Sequence, residues 1–341
     1  MIREAIAKLV DGQSLAEDEA AAVMEEIMTG EATPAQLGAF LLALRLKGET
    51  VEEIAGMARV MRAKALRVPY EGPSLLDTCG TGGDGSGTFN VSTAAAFVAA
   101  GAGAVVAKHG NRAMTSHCGS ADVLEALGAR IDLPPEQVAH CLRQANVGFM
   151  FAPAFHPAMR FAAGPRREIG VRTVFNVLGP LTNPAGAQAQ VLGVADVALG
   201  EKMVQVLERL GCRHALVVHG EDGLDEMTLT GPTLVHELKD GALRSYRVTP
   251  EDVGLPRADA RAVKGGSPAE NAAAMRAVLA AQRGPLRDIV LLNSAAALLA
   301  ADIVATLAEG VSLAAAAIDS GAAARALERF VEVTNSFDQA I

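Results

Sequence analysis

Apolar residues recur at helical spacing through the first part of the chain. Leu37, Phe40, Leu41 and Leu44 fall at i, i+3, i+4 and i+7, and Ile54, Met57, Ala58 and Met61 repeat the pattern. Each segment therefore reads as a helix with one apolar face. Three pairs, Ser14 with Glu17, Thr33 with Gln36 and Thr50 with Glu53, mark helix starts as capping boxes. Pro34 takes a first helical position, where its missing N–H costs nothing. Short helices on short loops predict a small all-helical domain over residues 1–70, ending near "LRVPYEGP", which sustains neither a helical nor a strand period.

From Leu75 the pattern changes. Short apolar runs, "LLDT", "AVVA", "FMF", "QVLGV", "HALVVHG", "EMTL", "TLVHEL" and "DIVLLN", alternate with Ala-rich helical stretches. That alternation predicts an α/β fold with a central, mainly parallel sheet flanked by helices. Residues 164–184, "GPRREIGVRTVFNVLGPLTNP", break it with Pro-bounded turns and are expected to cross back to the helical domain. Residues 71–163 and 185–341 then form the larger domain. Toward the C-terminus "KGGSPAENAAAMRAVLA" opens another helix, capped by Ser267 with Glu270.

With 341 residues, half of them hydrophobic and a fifth charged, the chain is long enough for a large core and two domains. The run Ala94 to Ala107 is too short to span a bilayer and is broken by Gly101 and Gly103. The start "MIREAIAKLVDGQ" lacks the uninterrupted apolar core of a signal peptide. A cytoplasmic location with no membrane partner is the expectation. Cys79, Cys118, Cys141 and Cys212 lie far apart without a C-x-x-C pair, as reduced thiols do. A net charge of -9 argues against a nucleic-acid partner, whose phosphates demand a basic surface.

Candidate chemistry concentrates in "DTCGTGGDGSGTFNVSTAAAFVAAG". An apolar strand, a glycine-rich turn and a helix start together aim backbone N–H groups at an anion, phosphate first. Gly80, Gly82, Gly83, Gly85 and Gly87 allow close approach, while Thr81, Thr88, Asn90, Ser92 and Thr93 supply short polar groups. Asp84 is the odd member, since a carboxylate repels phosphate and must turn away, accept a hydroxyl or act through a metal. The turn is neither a P-loop nor a dinucleotide fingerprint. Taken alone, it reads equally as an ordinary capped strand-to-helix connection.

Its companions add weight. After "AVVA" come Lys108, His109, Asn111, Arg112, Thr115, Ser116 and Ser120 within thirteen positions, at a strand end, where α/β sheets bind ligands. Lys108 offers a point charge, and Ser120 an anion-holding cap for "ADVLEALG". His109 and Arg112 singly read as a packing histidine and a surface arginine. In "VVHGEDGLDEMTL", Asp225 and Glu226 follow Gly223, and in a glycine-broken loop both carboxylates can converge. A lone pair of this kind is usually a solvated turn. Beside a phosphate loop it becomes the acidic half of a Mg²⁺ site, which takes one or two carboxylates plus phosphates and water.

Together, "GTGGDG", "NVST", "KHGNR", "CGSADVLEALG", "RREIGVRTVFNVLGPLTNP", "HGEDGLDE" and "GGSPAENA" closely resemble the anthranilate phosphoribosyltransferase family, in the same order and over nearly the whole chain. The resemblance implies transfer of phosphoribose from phosphoribosyl pyrophosphate to the amine of anthranilate, with release of pyrophosphate, on a nucleoside-phosphorylase-like fold. Carried over by position, it implies that Gly80, Gly83, Asp84, Thr88, Asn90, Ser92 and Thr93 hold phosphoribosyl pyrophosphate, continued by Lys108, Thr115, Ser116 and Ser120. Thr115 stands where a serine is common and keeps the hydroxyl. It implies two Mg²⁺ ions on Ser92, Asp225 and Glu226, with Glu226 serving both, and Lys108, Asp225 and Glu226 as the catalytic set. The resemblance further assigns anthranilate to Asn111 and Arg166 together with Gly80, with His109 and His156 as wall members. Arg167 is the alternative to Arg166, and alignment on Glu168 and Gly170 selects Arg166.

A homodimer through the N-terminal helices is also implied, although their apolar faces can equally be satisfied within one chain. Association with a glutamine-amidotransferase subunit is left open. Two other readings remain. A pyrimidine nucleoside phosphorylase on the same fold also cradles phosphate but does not need the Asp-Glu pair. A non-catalytic nucleic-acid-binding relative would have lost the small-molecule site.

Overall fold

The computed structural model describes residues 1–113 and 117–337. The N-terminal unit consists of α1 (Ile2–Val10), α2 (Glu17–Thr29), α3 (Pro34–Lys47) and α4 (Val51–Lys64). Two of the three expected caps form. Thr33 and Gln36 exchange bonds of 2.9 and 3.2 Å, and Thr50 and Glu53 bonds of 2.8 and 3.3 Å. Glu53 is fully buried and also takes the Leu15 N–H and the Lys47 ammonium, each at 2.9 Å, so one side chain closes a cap and a buried ion pair. The pairing of Ser14 with Glu17 does not form. Helix α2 begins at Glu17, the Ala16 N–H goes to Glu19 at 3.0 Å, and Ser14 accepts from Lys47 at 3.3 Å. Of the two acids, Glu19 lies three residues past the residue that ends the extended backbone, so it is the one that can reach back.

The remaining elements alternate as expected: β1 (Leu75–Gly80), α5 (Val91–Gly101), β2 (Val105–Gly110), α6 (Ser120–Ala126), α7 (Pro135–Ala145) and β3 (Val147–Phe151). Three helices follow, α8 (Ala152–Phe155), α9 (Arg160–Ile169) and α10 (Phe175–Leu178). Then come β4 (Ala189–Gly193), α11 (Val197–Arg209), β5 (His214–Gly220), β6 (Thr233–Lys239) and β7 (Ala242–Val248). The chain closes with α12 (Pro268–Leu279), α13 (Pro285–Ala300), α14 (Leu307–Asp319) and α15 (Ala322–Ser336). Ser267 and Glu270 cap α12 as expected.

The seven strands form one sheet in the order β3-β2-β1-β4-β5-β6-β7, parallel through β5 and antiparallel beyond it. Alternation along β5 shows how the sheet is covered. Leu216 and Val218 join the core beneath α5 and α13, whereas Ala215 and Val217 join a second core with α11 and the N-terminal helices. The helical unit is thus fastened to one face of the sheet, and α9 and α10 pack back onto α2, α3 and α4.

Two strand expectations are corrected, and one strand is added. "EMTL" is a turn, its backbone held by side chains in place of a ladder, as described below. "DIVLLN" lies in α13, where every residue from Ile289 to Ala300 is buried. A helix buried on all sides carries no amphipathic stripe, so its apolar run reads like a buried strand. Strand β7 was not predicted, because an edge strand with most of its residues exposed lacks the apolar face that marks a strand.

Candidate active site

In this strand order, chain connections leave β1 toward β2 on one side while β4 lies on the other. The switch point between β1 and β4 is where open α/β sheets take their ligands. The last residues of the two strands, Gly80 and Gly193, are direct partners. Both are glycine for one reason. A Cβ on Gly193 would lie 1.6 Å from the Asp225 carbonyl oxygen, and one on Gly80 would lie 2.5 Å from Asp225 Oδ2. The two glycines open a slot that admits the Asp225 turn to the strand ends.

The carboxylates are held there by backbone. Asp225 Oδ2 accepts from the Gly82 N–H at 2.7 Å, and Glu226 Oε1 accepts from the Ser92 N–H at 3.1 Å. Behind them Asn293 of α13 grips Met227 at both its N–H and its carbonyl, each at 2.9 Å. Asp222, in the same acidic stretch, accepts from Thr228 and Thr230 at 2.7 Å and closes the turn. The acidic pair therefore converges, unlike a solvated turn. Burial pushes both carboxyls up, joined by repulsion from Asp84 at Asp225 and from Asp225 at Glu226. Arg172 and Lys108 oppose the shift.

The glycine-rich loop bends over this pair with positive φ at Gly82, Gly83, Gly85 and Gly87. Asp84 turns one oxygen to the Ser86 N–H at 3.3 Å and leaves the other buried without a partner. Thr88 accepts from the Ser86 hydroxyl at 3.3 Å, and Thr93 is buried in α5. Asn90 does not cap α5 with its side chain but donates to the Cys118 carbonyl at 3.0 Å. Lys108 is buried. Its ammonium donates to the Thr78 carbonyl and, at 3.3 Å, to Ser92 Oγ, beside the carboxylates and not out in solvent.

Ser120 is not the cap of α6. Gly119 holds that place and its N–H goes to Asp122 at 2.9 Å, because an acid in the first turn already satisfies it. Ser120 instead donates to the Asn111 carbonyl at 3.2 Å. Thr115 and Ser116 lie outside the described residues.

A cavity of about 550 Å³ opens beside the switch point, between the sheet and the helical unit. Gly80, His109, Asn111, His156 and Arg166 all line it, with Met61, Phe175 and Pro180 among the apolar walls. Arg166 stacks on the Phe175 ring with its guanidinium carbon 5.0 Å from the centroid, while Arg167 is exposed and absent from the lining. The His109 and His156 rings are 5.1 Å apart, and the Nε2 of each is buried without a partner. Burial, then the neighbouring His156, pulls His109 down to about 3, and burial takes His156 to about 4. Both imidazoles are neutral at pH 7.

That neutrality sets a sign for stability. Below the ordinary histidine value of 6.5 the unfolded chain takes up protons that the native state refuses, so the contribution of His156 is full above that pH and is lost as pH falls toward about 4. The denaturation midpoint of His156→Gln is expected to fall less than that of the wild type between about pH 7.5 and 5.0. An equal fall in both would refute the buried neutral ring.

Two residues of the site escaped sequence reasoning. Asp77, fully buried on β1, accepts from the His109 N–H at 3.2 Å and from Asn183 at 2.8 Å. Burial raises it to about 6 against the pull of Lys108. Arg172 donates to the Thr81 carbonyl at 3.1 Å and lies against Gly83, where a Cβ would be 1.7 Å from Nη1. Its own carbonyl accepts from Arg45 of α3 at 2.6 Å. Nothing local in "GVRT" signals that reach.

The donor set fits Mg²⁺. Among the described residues no three acidic, histidine or cysteine side chains converge on one point. A cation here would have Asp225, Glu226 and the Ser92 hydroxyl, all hard oxygens, and would take its other ligands from substrate and water.

Comparison with known proteins bears on the family and the fold. Residues 3–65 match the model of the glycosyl transferase family helical bundle domain, and residues 72–324 that of the family's a/b domain. The chain is 63% identical over 335 residues to an anthranilate phosphoribosyltransferase of Chloroflexus aggregans, covering 98% of each. It is 59% identical over 337 residues to that of Moorella thermoacetica, covering 99% of each. The crystal structure of the Thermus thermophilus enzyme is similar at 50% identity and a TM-score of 0.93, over 97% of this chain and 99% of that one. The Saccharomyces cerevisiae enzyme in complex with phosphoribosyl pyrophosphate and Mg is similar at 29% identity and a TM-score of 0.90, over 98% of each chain.

Proposed function

The chain belongs to the anthranilate phosphoribosyltransferases, and from that premise we propose how its residues divide the reaction. The enzyme transfers phosphoribose from phosphoribosyl pyrophosphate to the amine of anthranilate, releasing pyrophosphate. One observation carries the division: the acidic pair and the 550 Å³ cavity meet at the end of β1, where Gly80 touches both.

On the acidic side, the glycine-rich loop with Ser92 holds the pyrophosphate end, and Ser120 holds the second turn. Two Mg²⁺ ions would be held by Ser92, Asp225 and Glu226. Bound there, Mg²⁺ supplies positive charge against the charge that builds on departing pyrophosphate. Lys108 fixes Ser92 through the 3.3 Å bond and adds its own charge to the same side.

On the cavity side, Arg166 takes the carboxylate of anthranilate while Asn111 and Gly80 place its amine toward the ribose. The neutral rings of His109 and His156 form a wall that neither protonates the amine nor repels Arg166. As the bond from ribose C1 to pyrophosphate breaks, a bond from C1 to the amine nitrogen forms, and the surplus amine proton passes to solvent. An arylamine is already neutral at pH 7, so the residues supply position and electrostatics and no strong general base.

The cleft lies between the two units we take the chain to have, 1–70 with 164–184 and 71–163 with 185–341. Val10, Leu42 and Leu46 are exposed on α1 and α3, which supports a homodimer through that face. The four cysteines are free and buried, in keeping with a cytoplasmic location, and among the described residues no helix is long and apolar enough to cross a membrane.

The test follows anthranilate fluorescence with phosphoribosyl pyrophosphate, with and without Mg²⁺. Loss that requires both is expected. Thymidine phosphorolysis without Mg²⁺ would instead mark a nucleoside phosphorylase. In the same assay Arg166→Ala is expected to raise the anthranilate KM about tenfold to a hundredfold, the cost of one charge-assisted pairing. Arg167→Ala is expected to leave it within about twofold. Equal effects would return the carboxylate to either arginine.

A further inference from the structure

The segment "KGGSPAENA" has no part in the division above, yet it is zipped to the glycine-rich loop. Lys264 forms an antiparallel bridge with Thr88. The Phe89 N–H donates to the Val263 carbonyl at 3.0 Å, and the Gly265 N–H donates to the Gly87 carbonyl at 2.9 Å. The Lys264 ammonium donates to the Ser86 carbonyl. Backbone lies directly on backbone, since a Cβ on Gly265 would meet the Thr88 carbonyl oxygen at 2.8 Å and the Phe89 nitrogen at 2.9 Å.

At the end of this strap the Ser267 cap starts α12 and sets Asn271 one turn in, only 2% exposed. Its Oδ1 accepts from the Gly266 N–H at 2.7 Å, and its Nδ2 donates to Asn90 Oδ1 at 2.9 Å. Asn90 in turn donates to the Cys118 carbonyl at 3.0 Å. The chain Gly266, Asn271, Asn90, Cys118 therefore ties three segments: the strap, the glycine-rich loop and the turn between β2 and α6.

The polarity of the chain is fixed. A carbonyl only accepts, so Asn90 must face Cys118 with its NH₂ and Asn271 with its oxygen. Asn271 is the donor that makes this orientation of Asn90 the satisfied one.

We propose that Asn271 is a positioning residue for phosphoribosyl pyrophosphate: it orients Asn90 and through it locks together the two turns that receive the pyrophosphate end. The inference rests on the assignment of the glycine-rich loop to that substrate. Asn271→Asp is the informative variant. It keeps the acceptor for Gly266 but sets oxygen against oxygen at Asn90, and turning Asn90 over only moves the clash to the Cys118 carbonyl.

The measurements are calorimetric binding of phosphoribosyl pyrophosphate in Mg²⁺ buffer, the KM of each substrate, and the melting temperature. For Asn271→Asp, both Kd and KM of phosphoribosyl pyrophosphate are expected to rise about tenfold or more, with the anthranilate KM within about twofold. Asn271→Ala, which removes the amide without adding charge, is expected to shift the same two constants by less, and it carries the test if the aspartate variant does not fold. Thr334→Ala serves as the stability control. It deletes a buried hydroxyl that accepts from the Arg130 N–H at 3.2 Å and touches neither turn, and it is expected to lower the melting temperature without moving either KM. Wild type that binds phosphoribosyl pyrophosphate while both Asn271 variants bind it equally well would overturn the inference alone. Wild type that binds none would overturn the assignment of the loop and the inference with it. A parallel rise in both KM values would reduce Asn271 to a general structural role.

Discussion

Replacing Glu226 with glutamine is expected to lower kcat/KM about a hundredfold to a thousandfold, the range found when one preorganised electrostatic partner of a developing charge is lost. The variant is nearly isosteric. Its amide oxygen can still accept from the Ser92 N–H, which sits 3.1 Å from Glu226 Oε1, so the turn should keep its shape. What goes is the negative charge. In the wild type burial raises both carboxyls, with repulsion from Asp84 adding at Asp225 and repulsion from Asp225 adding at Glu226. A dication is therefore what would favour the charged form of Glu226, and a neutral amide cannot offer that charge to it. The Mg²⁺ concentration for half-maximal rate should therefore rise as kcat falls, read from the anthranilate fluorescence assay across a Mg²⁺ titration. A loss of under about tenfold with an unchanged Mg²⁺ requirement would remove Glu226 from the charge-neutralising set.

Gly193→Ala is the second large effect, at a position with no functional atom. The added methyl would meet the Asp225 carbonyl oxygen at 1.6 Å and its carbonyl carbon at 2.4 Å, and neither is the free end of a flexible side chain. Strand β4 cannot retreat, because it is paired on both sides, to β1 and to β5. The Asp225 turn must yield, and with it the 2.7 Å bond from Gly82 to Asp225. Overpacking of this kind costs about 1–3 kcal/mol, which a domain of this size survives. The expected variant is folded, with a melting temperature lower by a few degrees and activity lower by about a hundredfold, the penalty for displacing a positioned group by an ångström. Gly231→Ala, where nothing lies within 4 Å of the new methyl and φ is not positive, should change neither. Near-normal activity in Gly193→Ala would mean that the turn relocates freely and that the slot is not what sets the carboxylates.

Much of this was legible in the chain. Capping pairs such as Thr33 with Gln36 and Thr50 with Glu53, the short apolar run "HALVVHG" and the glycine-rich turn after "LLDT" are local signals. They depend on residues within a few positions of one another, and physics at that range is the same in the unfolded chain and the fold. The failures were also local in cause. "DIVLLN" carries no period because its helix, α13, is buried from Ile289 to Ala300, and the pairing of Ser14 with Glu17 gave way to Glu19, two residues past Glu17, which reaches the Ala16 N–H at the helix start.

By itself, then, the sequence determined the helical unit, the mainly parallel sheet and the glycine-rich turn between β1 and α5, and it pointed to an acidic turn as that loop's companion. Only the tertiary structure decided what brings them together. Asp225 meets Gly82 across 143 positions of chain, Asn271 meets Asn90 across 181, and Arg172 meets Thr81 across 91. No short-range rule links such pairs. Each exists because the β1 and β4 ends are neighbours in the sheet and because the helices beyond β7 fold back over the loop that follows β1, and those placements follow from burying two faces of one sheet.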